Sequence, residues 1–204
     1  TQTGFSYLED GTAAFSGTAG SFGLALSGIG RDGAISPAAG GVAEADGRLL
    51  NVTRPGFTEW YRNDDGGVEQ GLTLAGRPEG TGPVTIRFAI SGESRFTPGS
   101  GQSLAVTDAA GNALFTYTGI HATDAAGRDL PSSLATDGTT LLWIVDDTGA
   151  AYPVAIDPVI VPASSSGSAF IGSGAWDYFG NSVALSSDGS RVLVGAFGND
   201  TAFH

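Results

Sequence analysis

The sequence predicts an all-β chain, β-sandwich-like over residues 1–162, followed by a linker at 163–168 and a separate segment at 169–204. Three observations carry this. Short apolar runs alternate with period two, turn signals separate them at short intervals, and no long window shows helical periodicity. In order along the chain, Phe22, Leu24 and Leu26 share one strand face. In Val84-Thr85-Ile86-Arg87-Phe88-Ala89-Ile90-Ser91, four large apolar residues face one way while Thr85, Arg87 and Ser91 face the other, which describes a strand with one buried face. Leu104 with Val106, and Tyr152 with Val154 and Ile156, repeat the pattern. Leu141 to Val145 is apolar on both faces and suits a strand buried between layers. Two sub-lobes, about 1–75 and 76–162, are one way of dividing so long a region.

The turns have a mechanism. Asp46-Gly47, Asp65-Gly66, Asp137-Gly138 and Asp188-Gly189 place Gly where positive φ is needed. Asp108-Ala-Ala-Gly111-Asn112 and Asp124-Ala-Ala-Gly127-Arg128 share one pattern, with Asp capping the loop and Gly taking the left-handed position. The 33 glycines, without a collagen-like period, fit many short strands joined by turns. Pro162-Ala-Ser-Ser-Ser-Gly-Ser168 has the composition of a flexible linker.

Composition excludes several chemistries. The chain has no Cys, so disulfides, thiolate nucleophiles and Cys-ligated metals are out. All nine basic residues are Arg, so P-loops, Schiff bases and Lys–Asn isopeptide crosslinks are out as well. A net charge of -12 disfavours nucleic acid and anionic membranes as partners. No apolar run approaches the roughly 20 residues of a helical membrane span.

Residues 177–200 carry a recognisable pattern: Asp177-Tyr178-Phe179-Gly180-Asn181-Ser182-Val183-Ala184-Leu185, an Asp188-Gly189 turn, then Arg191-Val192-Leu193-Val194-Gly195-Ala196-Phe197. This resembles an FG-GAP repeat, with Phe179-Gly180 as the first signature and Gly195-Ala196-Phe197 where the family has Gly-Ala-Pro. The resemblance implies one incomplete propeller-blade-like repeat over 169–204. Integrin-type members hold Ca²⁺ between the two strands, but Ser186-Ser187-Asp188-Gly189-Ser190 is too short and too poor in carboxylates for six to eight oxygens. No cofactor is therefore expected, calcium being the one considered.

Residues 59–74 (Glu59-Trp60-Tyr61-Arg62-Asn63-Asp64-Asp65-Gly66-Gly67-Val68-Glu69-Gln70-Gly71-Leu72-Thr73-Leu74), 124–131 and 145–158 also resemble segments in the N-terminal domains of large secreted repeat proteins of bacteria and methanogenic archaea. In that family such a domain precedes FG-GAP-like repeats. The resemblance implies an extracellular or cell-surface location and a structural or adhesive role, and it supplies no catalytic residues.

Candidate chemistry is sparse. Gly28-Ile29-Gly30-Arg31-Asp32-Gly33 matches a dinucleotide-binding string, yet Pro37 and the glycines that follow cannot continue as the required helix. It is expected to be a glycine-rich turn. Asp64, Asp65 and Glu69 beside Trp60 and Tyr61 are the best cluster for a metal or glycan, and the same residues equally describe a plain hairpin turn. Asp146-Asp147 suits a turn leaving a buried strand. His121 and His204, the two histidines, have no nucleophile elbow to serve and are expected at the surface. Asn51-Val-Thr53 and Asn199-Asp-Thr201 are glycosylation sequons, both expected near turns.

The expectation is thus a non-enzymatic extracellular structural protein, a subunit of a surface fibre or lattice. Copies would assemble by strand pairing through Phe179, Val183, Leu185, Val192, Val194 and Phe197, because a lone blade leaves apolar faces and edges uncovered. The alternative is the N-terminal part of a larger propeller-bearing adhesin that binds glycan or calcium. An enzyme using Asp64, Asp65 and Glu69 is a third reading, and a deep cleft at that cluster would favour it.

Overall fold

The computed structural model describes residues 4–17, 20–31, 34–64, 67–99, 103–162, 182–185 and 192–195. The chain divides into two compact units, Thr1–Ser164 and Ser165–His204. All the described regular structure is antiparallel β, in three sheets of seven, ten and two strands. The described residues contain no helix and form no closed barrel or propeller.

The first unit begins with β1 (Gly4–Tyr7), β2 (Thr12–Gly17), β3 (Gly20–Arg31) and β4 (Ala34–Pro37), then β5 (Val42–Asp46), β6 (Leu49–Arg54), β7 (Phe57–Asp64) and β8 (Gly67–Leu74). It continues with β9 (Val84–Ser91), β10 (Arg95–Pro98), β11 (Leu104–Thr107), β12 (Ala113–Thr118) and β13 (Ala122–Thr123). It closes with β14 (Ser132–Thr136), β15 (Thr140–Val145), β16 (Val154–Ile156) and β17 (Val159–Pro162). The seven-stranded sheet runs β1-β2-β3-β9-β15-β14, with β4 on β3. The ten-stranded sheet runs β10-β11-β12-β17-β8-β7-β6-β5, with β16 on β8 and β13 on β16. Residues on both sides of position 75 share each sheet, since β3 pairs with β9, and β8 with β16 and β17.

Alternation makes each sheet apolar on one face, and the two faces bury a common core. Phe15, Phe22, Leu24, Phe88 and Trp143 of the first sheet join Tyr61, Val68, Leu72, Phe115 and Tyr117 of the second in one cluster. Rings meet across the layers: Phe22 lies edge-on to Phe115 at 5.2 Å, and Phe5 stacks on Tyr61 at 4.9 Å. β16 and β17 keep one register along β8, and Asp157-Pro158 separates them because Pro158 has no N–H to donate.

The turn chemistry is uniform. Asp108 Oδ1 accepts from the N–H of Ala110 and Asn112 at 2.9 and 2.8 Å, and Asp124 Oδ1 does the same with Ala126 and Arg128, both at 3.0 Å. Gly111 and Gly127 sit at φ 89° and 77°, where a side chain is strained. The hydrogen bonds hold both Asp carboxyls below the usual range.

Several expectations need correcting. Gly28 and Gly30 lie in β3 rather than in a turn, paired with Pro37 and Ile35 of β4. A Cβ at Gly30 would overlap the Ala34 carbonyl oxygen, so glycine here serves close strand approach. β15 is buried on one face only. Leu141, Trp143 and Val145 are buried, while Leu142 and Ile144 on the other face are half-buried. Tyr152 precedes β16 instead of sharing its inward face. Asn51 stands within β6, paired with Glu44 and Trp60, and not at a turn.

In the second unit, β18 (Ser182–Leu185) and β19 (Val192–Gly195) pair antiparallel, Val183 opposite Val194 and Leu185 opposite Val192. Phe179, Phe197, Asn199 and His204 lie outside the described residues.

Packing over Gly71 gives a test. A Cβ there would fall within the Trp60 ring, whereas a Cβ at Gly76 would meet nothing within 4 Å. Gly71→Ala is expected to destabilise the fold by about 1–3 kcal/mol in urea unfolding, and Gly76→Ala to change it by less than about 0.5 kcal/mol.

Candidate functional site

Of the carboxylates singled out from sequence, Glu69 is described with its side chain, while Asp65 and the Asp64 side chain lie outside the described residues. β7 and β8 form a hairpin in which Arg62 lies opposite Glu69, and Asp64 opposite Gly67. Glu69 is taken up by Arg62, whose Nε donates to its Oε2 at 2.8 Å. The Arg62 guanidinium also sits 6.0 Å from the Trp60 ring centroid. Trp60 and Tyr61 point to opposite faces, so they form no joint platform for a sugar ring. The described residues hold no group of three or more metal-ligating side chains, and Asp65 lies outside them.

What the structure does bring together is buried. Glu59 and Tyr61 occupy inward positions of β7, and Gln70 occupies an inward position of β8 between Val68 and Leu72. Trp143 Nε1 donates to Tyr117 Oη at 3.1 Å, and Tyr117 Oη donates to Gln70 Oε1 at 2.7 Å. Gln70 Nε2 donates to Tyr61 Oη at 3.2 Å, and Tyr61 Oη donates to Glu59 Oε1 at 2.5 Å. Glu59 Oε2 accepts from Arg54 Nε and Nη2 at 3.2 and 3.1 Å, and Nη2 also donates to Tyr7 Oη at 3.0 Å. Because indole only donates and a carboxylate only accepts, the direction of every bond in between is determined.

This chain crosses between the sheets at both ends, through Trp143–Tyr117 and through Arg54–Tyr7. Burial pushes the Glu59 carboxyl up, partly offset by the Tyr61 hydrogen bond and the Arg54 charge. It pushes the Tyr61 and Tyr117 hydroxyls well above their ordinary range.

A second buried pair anchors the connection between β8 and β9. Arg31 and Asp147 are 0% and 1% exposed, and they form a two-pronged bridge at 2.8 and 2.6 Å. Arg31 Nε also donates to the Pro78 carbonyl at 3.1 Å, Nη1 donates to the Gly82 carbonyl, and Tyr152 Oη donates to Asp147 Oδ2 at 2.5 Å. Burial alone would raise the Asp147 carboxyl, but the Arg31 and Tyr152 hydrogen bonds and the Arg31 charge bring it below its usual range. Both residues also form the expected turn after β15: Asp146 Oδ1 accepts from the Thr148 N–H at 3.1 Å, and the Asp147 carbonyl accepts from the Ala150 N–H at 2.9 Å.

His121 is exposed as expected, with Nε2 3.0 Å from Asp129 Oδ1 and Nδ1 3.7 Å from Asp157 Oδ1. Sequence reasoning missed Arg31, Arg54, Glu59, Gln70 and Tyr117. The available signal was polarity at inward positions of an alternating strand, visible in Val68-x-Gln70-x-Leu72 and in Glu59-x-Tyr61. Comparison with protein-family models, curated proteins and solved structures finds no match.

Two measurements test the buried groups. Tyr117→Phe strands the Trp143 N–H and the Gln70 carbonyl, and is expected to cost about 1–3 kcal/mol in equilibrium unfolding. Asp147→Asn leaves Arg31 uncompensated and is expected to cost about 3–5 kcal/mol near neutral pH. The Asp147 carboxyl is depressed by folding, so its stabilisation is present above its unfolded value and lost as pH falls through its folded value. Unfolding curves across that acid range should therefore be flatter for Asp147→Asn than for the parent.

Proposed function

We propose that this chain is a non-enzymatic extracellular structural protein that assembles by strand pairing through its C-terminal segment. The observation that carries the reading is the β18–β19 hairpin: among the described residues, these two strands pair only with each other. A lone two-stranded hairpin is marginal in water, and added strands or a covered face stabilise it. In the sequence Val183 and Leu185, and Val192 and Val194, recur with period two, and the FG-GAP-like pattern of residues 177–200 describes a unit that stacks with its own kind.

The sandwich-like arrangement of the first unit suits a rigid module, since its core is stitched across the layers. The same FG-GAP-like pattern supports the second reading, a propeller-bearing adhesin in which further repeats cover the hairpin.

Light scattering and electron microscopy of the full chain test the proposal. Concentration-dependent oligomers or filaments are expected, and Val194→Pro, which removes a strand N–H from β19, should abolish them. A chain that stays monomeric at all concentrations, or a proline variant that assembles unchanged, contradicts it.

A further inference from the structure

The first unit has one open side. β1 ends the seven-stranded sheet and β5 ends the ten-stranded sheet, and two clefts lie between these edges. One, of about 520 Å³, is bordered by Tyr7, Leu8, Gly41 and Ala43. The other, of about 500 Å³, is bordered by Phe5, Tyr7, Ala45 and Asn63. Tyr7 is common to both, so they form a trough beneath the inner face of β5.

β5 differs from the other edges. All five of its residues are exposed, whereas β10 ends in Pro98 and buries Phe96, and β14 follows Pro131 with four of its five residues half-buried. Of the described residues, the two exposed large hydrophobics are Leu8 at 46% and Val42 at 67%. Leu8 borders the trough and Val42 belongs to β5. The edge has no Pro, Lys, Arg or bulge, and its charges, Glu44 and Asp46, are both acidic.

Its backbone polarity follows from the hairpin. β5 and β6 are joined by the two-residue loop Gly47-Arg48, with Asp46 opposite Leu49. A two-residue loop makes the flanking pair hydrogen-bonded, and antiparallel ladders alternate, so Val42, Glu44 and Asp46 bond to β6. The N–H and C=O of Ala43 and Ala45 therefore point out along the open edge. Their methyl groups face the trough, on the side of buried Val52.

Charge selects the occupant. Glu44 and Asp46 line the outer face of β5, and Glu9 and Asp10 border the first cleft. Asn63 Oδ1, beside the second cleft, is buried with no hydrogen-bond partner among the described residues. Arg48 also borders that cleft, and Arg54 in the first is held by Glu59, Tyr7 and the Ala39 carbonyl. A second copy of this chain, with its net charge of -12, fits such a rim poorly.

We infer that β5 is an acceptor edge for an extended peptide of alternating apolar and basic residues, added as an eleventh strand. Its backbone pairs with Ala43 and Ala45, its apolar residues enter the trough beside Leu8, and its basic residues meet Glu44 and Asp46. The assembly proposed above uses the C-terminal hairpin and does not need this edge.

The probe is a fluorescent Arg-Val-Arg-Val-Arg-Val-Arg peptide titrated into the full chain and followed by anisotropy. A block-ordered peptide of the same composition and an alternating Glu/Val peptide serve as controls. Binding that weakens with added salt and exceeds both controls by about tenfold or more is expected. Ala45→Pro removes one outward N–H without touching the β6 ladder, and Glu44→Arg/Asp46→Arg reverses the exposed charges. Each should weaken binding about tenfold, while circular dichroism and the unfolding midpoint report on the fold. Equal binding of the block-ordered peptide, equal binding of the Glu/Val peptide, or undiminished binding to a folded Ala45→Pro variant each overturns the inference. If only Ala45→Pro fails to fold, the charge-reversed variant decides: undiminished binding overturns the inference, and weakened binding upholds it.

Discussion

The first unit depends on a row of polar side chains laid through an apolar core. From Trp143 through Tyr117, Gln70 and Tyr61 to Glu59, each group donates to the next, and Arg54 closes the row from the far side. Hydrophobic burial would hold the two sheets together without this row, but it is non-directional and tolerates sliding of one sheet over the other. Hydrogen bonds in a water-free core do not tolerate it, because a displaced donor or acceptor stays buried and unpaired. Contacts at both ends, Trp143 with Tyr117 and Tyr7 with Arg54, thus set the offset between the layers.

That offset has consequences at the periphery. Tyr7 is bound to Arg54 and Phe5 stacks on Tyr61, which holds the edge strand β1 against the second sheet. The open trough is what remains where the row ends. Arg31 and Asp147 fasten the Pro78–Gly82 crossover between the sheets.

The parts legible in the sequence were those encoded locally. The alternation in Val84–Ser91 matches β9 residue for residue, and the two Asp-Ala-Ala-Gly loops have the capping bonds their composition predicts. Misreadings came where one strand face was judged without its neighbours. Leu142 and Ile144 look as apolar as Leu141, yet only one face of that sheet has a partner layer. Gly28 and Gly30 looked like turn residues because the approach of β4 is not written beside them. Arg31 and Asp147 stand 116 positions apart, and no local pattern can pair them. Gln70 was legible in principle, since a polar residue at an inward position demands a buried partner.

The claim that a directed row of hydrogen bonds positions the two sheets is tested most directly by proton exchange at the tyrosine hydroxyls. In nuclear magnetic resonance spectra of the folded chain, the Tyr61 and Tyr117 hydroxyl protons should appear as distinct, slowly exchanging signals. Tyr117 Hη should show contacts to the Trp143 indole proton, and Tyr61 Hη to the Gln70 side-chain amide. Hydroxyl signals averaged with water, or a Gln70 amide rotating freely, would contradict the account.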